Sequence, residues 1–495
     1  MNTKLFRSDA SQDGNGQPSK HVVIVGGGIA GLSTAWYLQQ KAAEQGVSLE
    51  YTVLEHSNRW GGKIQTEQVD GFGDAPFILE AGPDAFLTRK PWALALAREL
   101  GLNERILSIN QEKSRTFVIN HGKLTPLPDG LQLLVPTKVM PFLKSPLFSV
   151  WGKLRVALEF FVPRRRQEDD ETLADFVRRR LGVEMLYKLA EPLLSGVYNA
   201  EADQQSILAT FPQFPALEER YGSLLRGARA IRQTKTSDNT PAFISFTMGT
   251  HELIEALVSQ LKGCLRLKST VRSIEQFEQN SYHVTLESGE HLQADAVIMA
   301  TPAKVTAPLL AEIAASASEQ LRAIRYSSIG AVYLGFRQDS VSHPLNGFGF
   351  VVPSSERRNI DGMTWTSSKW DKRAPSNHVL LRVFFGGPHT RGMMNLNDAD
   401  LVSTIRDEVR SLLGIDAEPV FSRIFRWPEG YPQYDVGHLD RVAAIEAALP
   451  SGIYVTGSSY HGIGVPDCIK QGQATAQQAL ADLVKRPNVS AVSVT

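Results

Sequence analysis

The sequence predicts an α/β protein organised around a buried parallel sheet, and three observations predict it. A β-branched run, His21-Val22-Val23-Ile24-Val25, passes directly into a glycine-dense turn and an apolar stretch of helical character. A second strand, Leu49-Glu50-Tyr51-Thr52-Val53-Leu54, ends in an acid, Glu55. Near the C-terminus, Gly452-Ile453-Tyr454-Val455-Thr456-Gly457 repeats the pattern of strand, glycine turn and helix, the last expected over 470–484. Continuous apolar runs of this length mark strands covered on both faces.

The first turn carries Gly26, Gly28 and Gly31 in the spacing GxGxxG, with Gly27, Ile29 and Ala30 between them. That spacing allows a tight turn, close backbone approach to a pyrophosphate and close helix–strand packing. The following helix points its N–H groups at the phosphates. Glu55 stands 24 positions after Gly31, where a carboxylate accepts hydrogen bonds from ribose hydroxyls. A dinucleotide site is therefore expected. Beyond Glu55 come Arg59, Gly61, Gly62 and Lys63, forming E-x3-R-x-G-G. This resembles the second motif of the glutathione-reductase-2 flavoproteins, which wraps the FAD pyrophosphate, so FAD is preferred over NAD.

Composition narrows the remaining classes. The 495 residues exceed one ordinary core, so two or three domains are expected. Lys+Arg and Asp+Glu both number 52, which leaves no basic excess for nucleic acid. The two cysteines, Cys264 and Cys468, form no CxxC, which disfavours structural zinc or a disulfide framework and fits a reducing cytoplasm. Residues 1–19 read as a disordered leader and 486–495 as a flexible tail. No run has the length of a membrane span.

Between the motifs, Val271-Arg272-Ser273-Ile274, Tyr282-His283-Val284-Thr285-Leu286 and Ala294–Thr301 read as strands. The expected division is an FAD-binding domain over 20–114, 265–304 and 440–485, and a helical domain over 115–221. A mixed α+β substrate domain takes 222–264 and 305–439. The apolar stretch 131–162 ends in Arg164-Arg165-Arg166. Prolines 136, 141 and 146 break it into short pieces, so it is expected to fold onto the substrate domain, with peripheral contact to anionic lipid as the alternative.

Five further strings carry a more specific resemblance: Glu80-Ala81-Gly82-Pro83-Asp84-Ala85-Phe86-Leu87, Glu191-Pro192-Leu193-Leu194-Ser195-Gly196-Val197-Tyr198, Ala209-Thr210-Phe211-Pro212, Gly347–Pro353 and Tyr431–His438. Together they resemble the oxygen-dependent porphyrinogen oxidases, the protoporphyrinogen and coproporphyrinogen III oxidases, along nearly the whole chain. The resemblance implies non-covalent FAD, O2 as electron acceptor, a porphyrinogen substrate and a place in haem biosynthesis. It implies no catalytic triad and no metal, since the hydride goes to the flavin; His438 and His461 are expected to be structural. Gly82, Pro83, Asp84, Ala85 and Val271, with Gly457, Ile463, Gly464 and Val465 of the last turn, are implied to border the cofactor. Arg115, Val351, Thr364 and Phe384 are implied substrate contacts; Arg89 and Lys90 are further candidates because carboxylates need cations. The string Met363–Trp370 leans toward coproporphyrinogen over protoporphyrinogen. A homodimer is left open. An amine oxidase with flavin linked to Cys468, or a non-catalytic protein resembling GDP-dissociation inhibitors, are the rival readings.

Overall fold

The computed structural model describes residues 19–132, 134–165, 169–234, 241–278 and 281–485. The expected leader, apart from Ser19, and the expected tail lie outside these, as do Leu133 and Arg166. Five strands, β1 (Lys20–Val25), β2 (Leu49–Leu54), β3 (Cys264–Arg266), β4 (Ala296–Met299) and β5 (Ile453–Val455), form one sheet in the order β3-β2-β1-β4-β5. Every pairing in it is parallel. Strand alternation decides what each residue meets. Val22 and Ile24 pack against helices α1 (Ile29–Gln45) and α2 (Val465–Lys485). Val23 and Val25 face the opposite way, onto an antiparallel layer of Val271–Glu278, Ser281–Leu286 and His291–Ala294. Helix α2 starts at Val465, five positions earlier than expected, with Pro466 in the first turn, where its missing N–H breaks no bond. The two helices meet closely at Gly472, where a Cβ would stand 2.5 Å from Ser33 Oγ.

A seven-stranded sheet runs Phe421–Pro432, Tyr326–Arg337, His378–Phe385, Gly362–Trp365, Gly349–Val351, Thr116–Asn120 and Lys123–Pro126. Its outer face (Val332, Leu334, Leu381, Val383) is closed by the helix Asp398–Leu413 through Leu401, Ile405 and Val409. On its inner face Tyr333 and Leu380 pack on Phe77 and Leu79, and Val118 and Val351 meet the helical core. The helical layer itself contains Leu173–Arg180, capped by the Thr172 hydroxyl, and the wider π-helical segment Leu186–Ser195, which includes Pro192.

The expected domain limits shift in two places. The helical region does not begin at 115, because the β-branched run Thr116–Asn120 pairs in parallel with Gly349–Val351 and joins the large sheet. Nor does 222–264 belong to that sheet. Leu224 and Ala228 of Leu224–Thr234 pack into the helical core. Phe246, Leu253, Ile254 and Leu257 pack beside α1.

The stretch 131–162 is divided. Leu134, Val135, Phe142, Leu147, Phe148 and Val156 enter the helical core. Val150 (78% exposed), Trp151 (78%), Phe161 (81%), Val139, Met140 and Leu143 face outward, and the cations Lys138, Lys144 and Arg164 of the same stretch are exposed as well. The expectation that this apolar face folds inward therefore holds for only part of it. The short helices Val139–Lys144 and Val150–Ala157 each have too few turns to bury all sides. Among the described residues, no helix is long and apolar enough to cross a membrane.

Candidate active site

The glycine turn after β1 is held by the Gly26 N–H, which donates to Leu54 O at 2.8 Å. Gly26 has φ +113°, and a Cβ on Gly31 would lie 2.0 Å from Gly26 O, so both positions exclude larger side chains. Gly28 is different: a Cβ there would meet nothing within 4 Å. Its flank is open. Ile29 and Ala30 are buried in the first turn of α1. The Glu55 carboxylate, 6% exposed, accepts from the Gly27 N–H at 2.7 Å and from the Ser57 N–H at 2.9 Å. The Gly61 N–H donates to Gly27 O at 2.8 Å, which lays the second motif against the first. Arg59 turns onto its own loop, donating to Gly62 O at 2.6 Å. Burial lowers its pKa and Glu55 opposes that shift. Burial also holds the Lys63 ammonium below its ordinary value, and no carboxylate pairs with it among the described residues. The Ser269 N–H donates to Glu55 O at 2.8 Å, two positions before Val271, so that strand starts beside the acid.

The C-terminal turn closes the same site. Gly457 has φ +116°, and a Cβ on it would lie 3.5 Å from the Ala30 Cβ. The Tyr434 hydroxyl accepts from the Gly462 N–H at 2.8 Å and donates to Ser458 O at 2.9 Å, tying the turn at two points. Its ring stacks on His438 at 3.9 Å, and burial pulls that histidine down to about 4. His461 pairs at the surface with Glu446. Ile463 packs against the helical core, and Gly464 O accepts from the Cys468 N–H at 2.9 Å within the start of α2. Burial, aided by Asp467, pushes the Cys468 thiol up to about 12. A protonated, buried thiol is poorly suited to the covalent flavin link of the amine-oxidase reading.

The residues present fit a dinucleotide flavin: an open flank at Gly28, a buried acid at Glu55 and, among the described residues, a Lys63 ammonium paired with no carboxylate and a buried Thr456 hydroxyl without a partner.

On the inner face of the large sheet, Val351, Gly362 and Phe384 stand directly opposite one another on three neighbouring strands. The next row is Gly349, Thr364 and Arg382. The structure thus brings Val351, Thr364 and Phe384 together. Gly82 lies behind them, since Arg382 Nη2 donates to Gly82 O at 2.7 Å. Pro83 O accepts from the Thr250 hydroxyl at 3.2 Å, and Ala85 leads into the strand Phe86–Leu87. Asp84 is held by Lys369 at 2.8 Å and the Trp370 indole N–H at 3.3 Å. Burial alone would raise its carboxyl, but Lys369 and Arg382 overcome that and hold it well below the ordinary range.

The cationic candidates separate. Arg115 is exposed at the start of Thr116–Asn120, opposite Phe348, whose N–H donates to Arg115 O at 2.7 Å. Arg89 is exposed and joins none of these rows. Lys90 is already engaged, with both Asp467 oxygens at 2.6 and 2.7 Å, and is not a free cation for substrate. Lys369 and Arg382 were not anticipated. The readable signal was Arg382 itself, a charge set in the apolar run from Val379 to Phe385. The Asp84–Lys369 pair spans 285 positions and leaves no local mark.

Comparison with known proteins accords with this architecture. Residues 29–480 match the family of flavin containing amine oxidoreductases. A coproporphyrinogen III oxidase of Bacillus subtilis is 38% identical over 94% of this chain and 98% of its own length. A chloroplastic protoporphyrinogen oxidase of Oryza sativa is 29% identical over 94% of this chain and 89% of its own. A crystal structure of a candidate protoporphyrinogen oxidase from Exiguobacterium superposes with a TM-score of 0.83 at 32% identity, covering 95% of this chain and all of that one. Cyclohexylamine oxidase of Brevibacterium oxydans, at 16% identity and a TM-score of 0.65, shares the fold alone. The chain belongs to the flavin-containing amine oxidoreductase family, in the company of the coproporphyrinogen III and protoporphyrinogen oxidases.

Proposed function

We propose that this chain oxidises coproporphyrinogen III to coproporphyrin III in haem biosynthesis, with non-covalently held FAD and with O2 as terminal acceptor. The observation that carries the reading is the 38% identity to the Bacillus subtilis coproporphyrinogen III oxidase along nearly the full length of both chains. Bound FAD supplies two-electron acceptor chemistry, needed three times for one macrocycle, with three O2 reduced to three H2O2. The chain's own residues do the positioning. Gly26, Gly28 and Gly31 would admit the pyrophosphate, Glu55 would receive the ribose hydroxyls, and the turn tied by Tyr434 would offer the N–H groups of Ile463, Gly464 and Val465. Across from it, Val351 and Phe384 are two strand spacings apart, roughly 9.6 Å, with only Gly362 between them. That row supports one flat ring system and keeps water from its face. The substrate meets the site from the cytoplasm, with peripheral lipid contact through the exposed 139–161 face.

The same outward apolar face favours a second reading, protoporphyrinogen IX, whose lower polarity suits collection from a lipid surface. Purified protein supplied with each porphyrinogen in air distinguishes them. Porphyrin fluorescence rising above the enzyme-free rate with coproporphyrinogen supports the first reading; no acceleration with either substrate overturns both. Acid precipitation should release the flavin into the supernatant, and flavin retained by the pellet would favour a covalent amine-oxidase type.

A further inference from the structure

Arg382 is a buried charge whose partners within the chain are incomplete. It occupies the middle of His378–Phe385 and is 5% exposed. A guanidinium so placed is costly unless paired and hydrogen-bonded. The chain gives it one carbonyl, Gly82 O at 2.7 Å, and two aromatic faces, Phe384 at 4.7 Å and Tyr333 at 5.5 Å. Its Nε has no hydrogen-bond partner among the described residues. The adjacent acid, Asp84, is taken by Lys369 at 2.8 Å and by Trp370. Asp84, Lys369 and Arg382 together therefore carry one positive charge in excess. A second buried arginine, Arg373, lies 3.9 Å from Glu80, and among the described residues no carboxylate forms an ion pair with Arg382.

The position of that excess is informative. Arg382 is opposite Thr364 and one row from Val351, Gly362 and Phe384, and its guanidinium lies over the Phe384 ring. A flat apolar ligand resting on Phe384 would bring a short acidic side arm to the guanidinium. Planar donors suit a carboxylate bidentately. We propose that Arg382 receives a carboxylate of the substrate and is a specificity-determining residue for acidic porphyrinogens. This rests on the porphyrinogen reading above. The competing source of negative charge is the cofactor, because Gly82 borders the flavin side.

The test varies the charge on both partners. Binding of coproporphyrin III and of its neutral tetramethyl ester is measured by fluorescence quenching on flavin-loaded wild type, Arg382→Gln and Arg382→Lys. KM and kcat for coproporphyrinogen III, flavin affinity and thermal unfolding are measured on the same samples. The expected result is that Arg382→Gln shrinks the acid-over-ester preference and raises KM, each by about tenfold or more, as loss of a charged hydrogen bond implies. Flavin affinity stays unchanged, and Arg382→Lys recovers part of both effects. An unaltered acid-over-ester preference overturns the proposal, and so does a KM change that tracks a loss of flavin affinity. Where Arg382→Gln does not fold, the Arg382→Lys comparison carries the same decision at reduced amplitude. A wild type that oxidises no porphyrinogen would instead refute the functional reading beneath it.

Discussion

The Glu55 carboxylate accepts a 2.7 Å hydrogen bond from the N–H of Gly27, so the acid that ends β2 is anchored on the turn that ends β1. Removing its charge weakens that bond and the site together. Glu55→Gln is expected to cost about 1.5–3 kcal/mol at this contact. Thermal unfolding of flavin-free protein would report the structural share. Flavin fluorescence titration would report the rest as a raised dissociation constant; an unchanged constant would remove Glu55 from the cofactor site.

Gly28 and Gly31 give opposite outcomes for one added methyl. At Gly31 a Cβ falls 2.0 Å from Gly26 O, so Gly31→Ala must displace α1 and should cost about 1–3 kcal/mol of stability even without flavin. At Gly28 the methyl enters open space, so Gly28→Ala should unfold at the wild-type temperature when flavin-free. It should nonetheless bind flavin at least about tenfold more weakly, because the backbone can no longer approach the phosphates. Equal flavin affinity in Gly28→Ala and wild type would contradict this placement.

His438 makes stability depend on acidity. Burial lowers its folded-state pKa from 6.5 to about 4, against the opposing bond to Tyr460 O. The unfolded chain therefore takes up the proton more readily between those values. Its contribution is intact above pH 6.5 and is lost as pH falls toward 4, on the order of 3 kcal/mol in full. His438→Phe keeps the stack on Tyr434 and should flatten the unfolding temperature across that window, while losing about 1 kcal/mol at neutral pH with the Tyr460 bond. An acid slope identical to wild type would place the titration elsewhere.

The outward face of 139–161 should seek lipid. Trp151 and Phe161 each expose about four-fifths of their surface, and Lys144 and Arg164 in the same stretch of chain are exposed too. Paired Trp151→Asp and Phe161→Asp substitutions are expected to lower co-sedimentation with phosphatidylglycerol-containing vesicles by tenfold or more, since burying each ring contributes roughly 1.5–3 kcal/mol. Solution turnover of substrate should be unaltered. Vesicle binding that survives both changes would argue that another surface makes the contact.

Legibility followed distance along the chain. The glycine turn, Glu55 and the closing turn at Gly457 could be read because each is a local spacing with one backbone explanation. The inner row was readable in part: Val351, Thr364 and Phe384 were named, while the register that aligns them through Gly362 was not. Lys90 misled because a cation near a motif looks free until its partner, Asp467, is seen 377 positions away. The limits of the helical region were misplaced because the strand Thr116–Asn120 shows which sheet it joins only through a parallel partner more than 200 residues downstream. Short-range pattern gives elements; it does not say which sheet they join.

The central sheet also dictates when the protein becomes itself. Its neighbours β1, β4 and β5 come from the beginning, the middle and the last tenth of the chain, and α2 seals against α1 at Gly472. A growing chain leaving the ribosome N-terminus first has only α1 to cover Val22 and Ile24 and lacks the α2 share of their packing until residue 483 has been added. Such long-range closure is slow and exposes apolar surface on the way. Synthesis, not chemistry, is then the stage at which this protein is most vulnerable to aggregation. Loss of α2 would leave every glycine of the first motif in place and strip Val22 and Ile24 of half their cover.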